Sequence, residues 1–409
     1  MHTSSINRRR LLGAALAAPL CTPLARLAVA GSGGASGARL VFILLRGGLD
    51  GLAAVPAPGD PAYATARGPL ADFGAPALAL DGTFALHPNL VQLHAMYGRG
   101  EAAVLHAVGL PYHERSHFDA QQLLESGGTQ PFELQTGWLG RALASTQQSG
   151  VALTTAVPLV LRGAEQIDSW APSSLPDPSA DLVARLTTMY LGDAALGRAL
   201  ARARDLRSGP DMADGMPGAA AAMAAAAGRS NAVTLAHKAA ELLMRPGGAA
   251  VAVLELGGWD SHANQTAPQG ALSNNLRTLD ATLATLREVL SAGSGEESNT
   301  QNTWQRSVVV VASEFGREVA VNGTQGTDHG SGGVAFVLGG AVQGGRVVTD
   351  WPGLARAQRF EGRDLRITTD LRAVLRPLLA RQLGVSRALL DEHVFPRSAA
   401  LRDVDLLRA

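Results

Sequence analysis

Acidic residues and histidines stand beside glycines at four points where an apolar run of the sequence ends or begins. Glycine lets the backbone approach a ligand closely, and carboxylate oxygens and imidazole nitrogens are donors that divalent metals bind. A single cysteine excludes a thiolate zinc cluster. The pattern predicts a divalent metal site, with zinc or manganese favoured by the histidines. The candidate ligands are Asp50, Asp260, His262, Glu314, Asp328 and His329.

Each of these positions also has a purely structural interpretation. Asp50 beside glycines is a common turn residue, and Asp260 with His262 could form an ordinary Asx turn. Glu314 could cap a following helix. The Asp328-His329 pair in a glycine-rich loop favours function, because a charged pair at a buried strand end needs a partner. Taken together, the four positions favour one shared site over four unrelated turns.

Ser116 is the candidate nucleophile. It precedes a helix-like stretch, and Asp119 three residues later gives the spacing of a capping box, so Ser116 could simply cap that helix. The same position would expose its hydroxyl at a helix N-terminus, where amide dipoles stabilise anions and a metal could lower its pKa. Three arginines could hold a tetrahedral oxyanion or could be ordinary solvated residues: Arg46, Arg115 and Arg317.

Apolar runs that alternate with helix-like stretches must position these residues. The runs are typical of strands buried on both faces, and they span Arg39–Leu45, Ala102–Val108, Ala249–Leu256, Ser307–Ala312 and Val334–Leu338. Helices are predicted at Asn89–Tyr97, Phe118–Glu125, Leu272–Leu290 and Leu371–Leu383. This alternation predicts an α/β fold with a mostly parallel sheet, in which ligands collect beyond the carboxyl ends of the strands.

Residues 38–409 are predicted to form a single domain that carries a helical insertion at about residues 172–246. Within the insertion, Asp181–Leu206 and Asn231–Met244 have helical patterns, and the alanine-rich stretch between them indicates a linker or a weak helix. No internal repeat is apparent in the sequence.

The first thirty residues have the form of a signal peptide. Three arginines at residues 8–10 precede two leucines, and a Gly/Ala-rich apolar stretch ends in the small-residue exit at residues 28–30. Paired arginines before leucines resemble a twin-arginine signal. A membrane anchor is the alternative, but Pro19, Pro23 and Arg26 interrupt a stretch already too short to span. We therefore predict a periplasmic or secreted protein, with the twin-arginine translocase and a signal peptidase as partners during export.

The charge balance excludes a broad positive field. The chain has 35 basic and 35 acidic residues, so recognition of nucleic acid through counterion release is not expected. Cleavage after Ala30 would remove Cys21, four arginines and no acid, which leaves a mildly acidic mature chain. No apolar run beyond the leader is long enough to cross a membrane, so we expect no stable membrane span in the mature form.

Several short motifs together resemble one exported bacterial family. It is catalogued as domain of unknown function 1501 and grouped with the alkaline phosphatase and sulfatase superfamily, and the resemblance covers essentially the whole chain. Besides the arginine leader, the motifs are Leu-Arg-Gly-Gly-Leu-Asp50-Gly, His87-Pro-Asn-Leu, His113-Glu-Arg-Ser-His-Phe-Asp-Ala-Gln121, Gly-Gly-Trp-Asp260-Ser-His262, Ser-Glu314-Phe-Gly-Arg317 and Thr-Asp328-His-Gly-Ser-Gly-Gly333.

The resemblance implies a three-layer α/β/α sandwich with two adjacent metals and a Ser, Thr or formylglycine nucleophile that attacks a phosphate or sulfate ester. By position, it implies that Asp50 binds one metal and that Ser116 lies between the two. Asp260, His262 and His329 would bind the other metal.

The sequence departs from the superfamily pattern at two neighbouring positions. Glu314 falls where the superfamily usually has the Asp of an Asp-His pair, and Phe315 falls where it has the His. His117 or Asp328 would have to supply the missing donor. One metal, two metals, an unusual metal or no hydrolysis at all are therefore left open. A formylglycine consensus is absent around Ser116, which disfavours classical sulfatase chemistry.

Two hypotheses follow from these residues. The first is a metal-dependent periplasmic hydrolase of phosphate or sulfate esters, on a small molecule or polymer, with Ser116 or a metal-bound water as the nucleophile. Arg115 and Arg317 would neutralise developing charge, and His117 is a further catalytic candidate. The second is a non-catalytic exported protein of the same fold that binds an envelope polymer or a partner. A Ser-His-Asp esterase is weaker, because no Gly-x-Ser-x-Gly elbow occurs.

Overall fold

Eleven strands occur in the computed structural model, which describes residues 37–173, 178–207, 222–292 and 302–408. They are β1 (Arg39–Leu45), β2 (Leu78–Ala79), β3 (Ala85–Leu86), β4 (Ala102–Gly109), β5 (Gly150–Ala152), β6 (Ile167–Ser169), β7 (Val251–Leu256), β8 (Ser307–Ser313), β9 (Gly333–Leu338), β10 (Arg346–Val348) and β11 (Thr369–Asp370). Nine of them form one mixed sheet, and β2 and β3 form a separate ribbon. The predicted signal peptide lies outside the described residues.

Helices connect most of the strands. They are α1 (Gly51–Ala54), α2 (Tyr63–Arg67), α3 (Val91–Gly98), α4 (His117–Ser126), α5 (Trp138–Thr146), α6 (Ala180–Met189), α7 (Ala194–Arg207), α8 (Ala222–Met244), α9 (Ala271–Ala292), α10 (Leu371–Leu383) and α11 (Arg387–Leu389). In the described part of the chain, none of the helices combines the length and the apolar character that crossing a membrane requires.

The sheet has the order β10-β4-β9-β8-β1-β7-β5-β6, with β11 beside the end of β4. Its pairings are parallel except that β9 runs antiparallel to both β4 and β8. The predicted α/β fold with a mostly parallel sheet is therefore confirmed. Because β9 runs in reverse, it begins at the edge where its neighbours end, so the loop before β9 joins the loops that follow β1, β7 and β8.

Two hydrophobic cores, one on each face of the sheet, give the fold three layers. On β1, alternate residues from Val41 to Leu45 face one core and those from Leu40 to Leu44 face the other. The first core includes side chains of α3, α8 and α9, and the second includes side chains of α4, α5 and α10. Burial on both faces explains why the strands are continuous apolar runs in the sequence.

The predicted helical insertion contains α6, α7 and α8. No residue of α6 is buried, whereas Ala236 and Leu243 of α8 are fully buried against the first core. The C-terminal half of α8 therefore belongs to a helical layer of the sandwich. The insertion boundaries and the single-domain assignment stay predictions.

Glycines allow the loops at the carboxyl edge to approach one another. A Cβ on Gly47 would lie 2.5 Å from the Asp260 amide nitrogen, and Gly47 has a φ of 123°, which favours glycine. A Cβ on Gly316 would collide with the Gly332 carbonyl. The loops after β1 and β8 could not reach their neighbours with larger residues at these two positions.

His106 is a fully buried histidine in the middle of β4. Its Nε2 lies 3.0 Å from the Val55 carbonyl oxygen, and its Nδ1 accepts a hydrogen bond from the Ala107 amide at 2.9 Å. This pairing assigns the proton to Nε2. Burial lowers the pKa of His106 to about 4, so the imidazole is neutral in the folded protein near pH 7.

The free energy of unfolding should fall as the pH drops from 6.5, the ordinary histidine value, to about 4. In that window the unfolded chain binds a proton at His106 that the folded chain does not, which costs up to about 3 kcal/mol for this residue. His106→Gln keeps an N–H for the Val55 carbonyl but does not titrate, so its free energy of unfolding should fall less over this pH range. Urea unfolding at several pH values measures this, with exposed His393→Gln as the control. Equal pH dependence in the two variants would contradict the prediction.

Candidate metal centre

The loops after β1, β7 and β8, the loop before β9 and the N-terminus of α4 meet at one edge of the sheet. The Gly47 amide donates a 2.9 Å hydrogen bond to Glu314 Oε1, which joins the β1 and β8 loops. The Glu318 amide donates to the Asp328 carbonyl at 2.9 Å, which joins the β8 loop to the loop before β9. Contacts between side chains complete the assembly.

Three ligand atoms form what we call the metal-donor group: His117 Nε2, Asp260 Oδ1 and His329 Nε2. All three lie within 4.8 Å of one another. The two imidazole nitrogens are 3.0 Å apart, and Asp260 Oδ1 lies 3.2 Å from His329 Nε2 and 3.5 Å from His117 Nε2. These atoms come from α4, from the β7 loop and from the loop before β9, so three distant parts of the sequence meet here.

His262 extends the metal-donor group on one side. Its Nε2 lies 2.8 Å from Asp260 Oδ1 and 3.2 Å from His329 Nε2. The side chains of Asp260 and His262 are 46% and 43% exposed, so solvent reaches the group from this side.

Each of the three imidazoles is oriented through its Nδ1 by an oxygen acceptor. His117 Nδ1 lies 2.7 Å from Glu314 Oε1, His262 Nδ1 lies 3.1 Å from Asp328 Oδ1, and His329 Nδ1 lies 3.1 Å from the Arg115 carbonyl oxygen. A proton on each Nδ1 satisfies these contacts and leaves the three Nε2 lone pairs pointing at Asp260. Histidines that bind metals are typically held in this way.

Glu314 lies beneath His117 as a buried acceptor rather than in the metal-donor group. Its side chain is 0% exposed, and its Oε1 also accepts from Gln121 at 3.0 Å, one helical turn after His117 on α4. Burial alone would raise the pKa of Glu314, but the hydrogen bonds from His117 and Gln121 outweigh burial and lower it. Glu314 therefore orients an imidazole in this structure and is not one of the three metal-donor residues, and its role as a metal ligand stays a prediction.

Asp328, also a predicted ligand, is not one of the three metal-donor residues. Its Oδ1 accepts from Asn322 Nδ2 at 3.1 Å and faces His262 Nδ1, so it orients His262 from the solvent side. The hydrogen bond from Asn322 and the nearby His262 lower the pKa of Asp328.

Arg317 is buried under the site and fixes Asp260. Its guanidinium donates to Asp260 Oδ1 at 2.5 Å and to the carbonyls of Gly47, Gly48, Trp259 and Thr327. Burial would raise the pKa of Asp260, but the Arg317 guanidinium lowers it to about 2. The hydrogen bonds of Arg317 to Asp260 and to four backbone carbonyls hold the loops together in this structure, and the oxyanion role of Arg317 stays a prediction.

Arg115 and Ser116 lie at the start of α4. The Arg115 guanidinium donates to Asp364 at 2.9 Å and to Glu361 at 2.6 Å, so it too is committed to carboxylates. Arg115 has a φ of 61°, the left-handed conformation, and this conformation accompanies its carbonyl contact with His329. Ser116 is the N-cap of α4, and its Oγ accepts from the Asp119 amide at 3.5 Å.

Asp50 lies outside the metal-donor group in a buried network of its own. Its Oδ2 accepts from Arg67 Nη2 at 2.6 Å and from Gln265, and its Oδ1 caps α1 by accepting from the Ala53 amide at 3.0 Å. Arg67 is 0% exposed. The Arg67 guanidinium neutralises this carboxylate, and the structure does not bring Asp50 together with the metal-donor group, so its role as a metal ligand stays a prediction.

Phe315 forms an apolar wall behind two of the imidazoles. Its ring centroid lies 4.6 Å from that of His117 and 5.1 Å from that of His329. The hydrogen bond to Glu314 raises the pKa of His117, whereas burial and the nearby His117 lower the pKa of His329. An additional proton, beyond the one on each Nδ1, therefore binds more readily to His117 than to His329.

The metal-donor group fits a divalent ion of the zinc type. Two ligands of a tetrahedral zinc ion with bonds of about 2.0–2.1 Å are about 3.3 Å apart. The observed separations of 3.0, 3.2 and 3.5 Å bracket that value. Imidazole donors with oriented Nδ1 atoms and one ionised carboxylate also match the ligand chemistry of zinc.

The amino-acid sequence of the chain matches the model of one protein family. The family described as "Protein of unknown function (DUF1501)" matches residues 38–394. The chain belongs to this family. The resemblance seen in the sequence motifs is thereby confirmed at the level of the family. No curated protein matches the chain in sequence.

Solved structures similar to this DUF1501 chain are distant from it. A 2-O GAG sulfatase is 10% identical, with a TM-score of 0.40, 90% of this chain covered and 73% of the other. A phosphonate monoester hydrolase of Agrobacterium radiobacter is 12% identical, with a TM-score of 0.42 and coverages of 85% and 74%. One from Silicibacter pomeroyi is 12% identical, with a TM-score of 0.33 and coverages of 90% and 76%. With similarities this low, functional inference depends on the side chains of the site.

Sequence reasoning missed three residues that support the site. The helical pattern could have predicted that Gln121 lies on the same helix face as His117, because it follows His117 by four residues on a predicted helix. Arg67 and Gln265, which bind Asp50, had no comparable signal, because they come from α2 and from the loop before α9. Only the folded chain brings them to Asp50.

Glu314→Gln should weaken zinc binding by about 10- to 100-fold, because it removes the charged acceptor that orients His117. Competition with a chromophoric chelator measures the zinc affinity, and circular dichroism checks the fold. Asp50→Asn is the comparison variant. It should lower zinc affinity less than Glu314→Gln does, because Asp50 reaches the metal-donor group only through Gln265 and Thr327. It should also lower the free energy of unfolding by about 3–5 kcal/mol, because it leaves the buried Arg67 charge unpaired. A larger loss of zinc affinity in Asp50→Asn than in Glu314→Gln would contradict the assignment.

Proposed function

We propose that this protein is a hydrolase of phosphate or sulfate esters that depends on a divalent metal ion, with zinc or manganese as the candidate ions. One observation carries the proposal: His117, His262 and His329 each turn Nδ1 toward an oxygen acceptor and Nε2 toward Asp260. These residues would hold the ion. When bound, a divalent ion polarises an ester oxygen and lowers the pKa of an attacking hydroxyl.

We further propose that one ion suffices. The carboxylate that the family resemblance assigns to the other metal, Asp50, is paired with Arg67 at 2.6 Å. Phe315 provides a ring and no ligand at the position where a second imidazole is expected. The Arg67 guanidinium would thus supply the positive charge that a second ion would otherwise bring to this edge.

Two nucleophiles are compatible with this site, Ser116 and a water molecule. Ser116 directly precedes His117, and its Oγ has one long contact, at 3.5 Å, with the Asp119 amide. A hydroxyl held so weakly could turn away from the helix end at little cost. A water needs no such movement, since the metal-donor group is open to solvent near Asp260 and His262.

A non-catalytic role is the second candidate, and the arginines favour it. Arg115 and Arg317 are both engaged by protein carboxylates or carbonyls, so neither is free to neutralise a transition state. In that case the ion would anchor an anionic group of an envelope polymer without cleaving it.

We also propose export through the twin-arginine pathway, with periplasmic or secreted localisation. The arginines at residues 8–10 and the small residues at 28–30 support this proposal. Such a route carries folded proteins, so the ion could be bound before export.

Purified protein reconstituted with zinc or manganese should bind about one ion and hydrolyse aryl phosphate or sulfate esters. His329→Ala and Asp260→Ala should lose most of the bound metal and at least about 100-fold in kcat/KM, since each removes a donor. His393→Ala, at an exposed position, serves as the control. Ser116→Ala separates the nucleophiles, because it should abolish turnover only if Ser116 attacks. Metal bound at full stoichiometry without turnover of any ester would favour the polymer-binding alternative.

Replacing the arginines at residues 8–10 by lysines should block export, because the translocase reads paired arginines rather than charge alone. Cell fractionation of the full chain in a bacterial host should show wild type in the periplasm and the variant in the cytoplasm. Arg26→Lys, in the same leader but outside the paired arginines, is the matched control and should leave export intact. Equal fractionation of all three proteins would rule out the twin-arginine route.

A further inference from the structure

Carboxylates outnumber arginines around the metal-donor group. Counting Asp260 itself, a continuous chain of hydrogen bonds and ion pairs connects the group, directly or through one another, to six acidic side chains and three arginines among the described residues. The acids are Asp260, Glu314, Glu318, Asp328, Glu361 and Asp364, and the bases are Arg115, Arg317 and Arg363. The local formal charge is therefore −3, and a divalent ion would reduce it only to −1.

None of the three arginines is left to face a ligand. Arg317 has a side-chain exposure of 0% and binds Asp260 and backbone carbonyls. Arg115 is held between Glu361 and Asp364 at 2.6 and 2.9 Å. Arg363 donates to Glu318 and Asp364, each at 2.9 Å.

The exposed rim of the site is acidic. The side chains of Asp328 and Glu361 are 53% and 59% exposed, whereas the basic partner of Glu361, Arg115, is only 25% exposed. An incoming anion thus meets carboxylates before it reaches the metal-donor group, and each additional negative charge on it increases the repulsion.

We propose that the site takes esters with a single negative charge, such as phosphate diesters and sulfate monoesters, in preference to doubly charged phosphate monoesters. The inference rests on the proposed metal-dependent function and narrows its substrate class. A site that selects dianions needs unpaired cationic donors, and the arginines in contact with this site are already paired.

Binding of two inert ligands to the zinc-loaded full-length protein tests the charge preference directly. Phenylphosphonate and methyl(phenyl)phosphinate share a ring and a phosphorus centre, but a methyl group in the second replaces one charged oxygen of the first. At about pH 9 phenylphosphonate carries two charges, because this pH lies well above the second pKa of a phosphonate, which is somewhat higher than the value of about 6 for a phosphate ester. Calorimetry should find the phosphinate bound about fivefold more tightly than phenylphosphonate. This ratio of affinities should approach one as salt is added, because salt screens the repulsion.

Glu361→Gln should reduce the ratio of phosphinate affinity to phenylphosphonate affinity about twofold, because it removes one negative charge from the rim and one contact of Arg115. Glu392→Gln, an exposed acid outside these contacts, should leave it unchanged. Equal or tighter binding of phenylphosphonate would overturn the inference, and so would a ratio insensitive to both salt and Glu361→Gln. A salt-sensitive preference for the phosphinate without hydrolysis of any ester would support it while refuting the proposed hydrolase.

Discussion

The Nε2 lone pairs of His117 and His329 repel each other and the nearby Asp260 carboxylate, and the rest of the site at this edge of the sheet must hold them together. His117 Nε2 and His329 Nε2 lie 3.0 Å apart beside Asp260 Oδ1, and hydrogen bonds on the opposite nitrogens fix both rings. Such an arrangement is stable only with a proton or a cation among the three atoms. Glu314 stabilises either one, since the same acceptor that raises the pKa of His117 also increases its basicity toward a metal. The metal ion proposed above would therefore compete with a proton for the same position between the two imidazoles and Asp260.

Two carboxylates at the same edge are neutralised in different ways. Asp50 is paired with the fully buried Arg67. No other cation can take the place of this guanidinium, and solvent does not reach the carboxylate. Asp260 shares Arg317 with backbone carbonyls and keeps a 46% exposed side chain among imidazoles. The two sites are not independent. Gln265 donates to Asp50 and accepts from Thr327, the residue before Asp328, so the permanent ion pair supports the loop that carries the exchangeable site.

The sequence could predict where functional side chains gather but not which atoms they present to each other. Buried strands are continuous apolar runs, so the strand ends and the residues beyond them were visible. The reversal of β9 was not, although it brings His329 to the same edge. Whether Glu314 binds a metal or an imidazole nitrogen depends on a few ångströms of approach by α4, and no spacing encodes that distance. The pairing of Asp50 with Arg67 could not be predicted, because Arg67 comes from another helix and no motif links the two residues.

The residues of the site are separated by long stretches of sequence, so it forms only in the folded chain. His117 belongs to α4, Asp260 and His262 follow β7, and His329 precedes β9, with the central strands of the sheet between them. Because the unfolded chain has no preformed site, the free energy of binding the proposed metal ion would add to the free energy of folding. If export is by the twin-arginine route proposed above, the site is complete before the chain crosses the membrane. The identity of the ion is then decided by the metals available in the cytoplasm rather than by those outside.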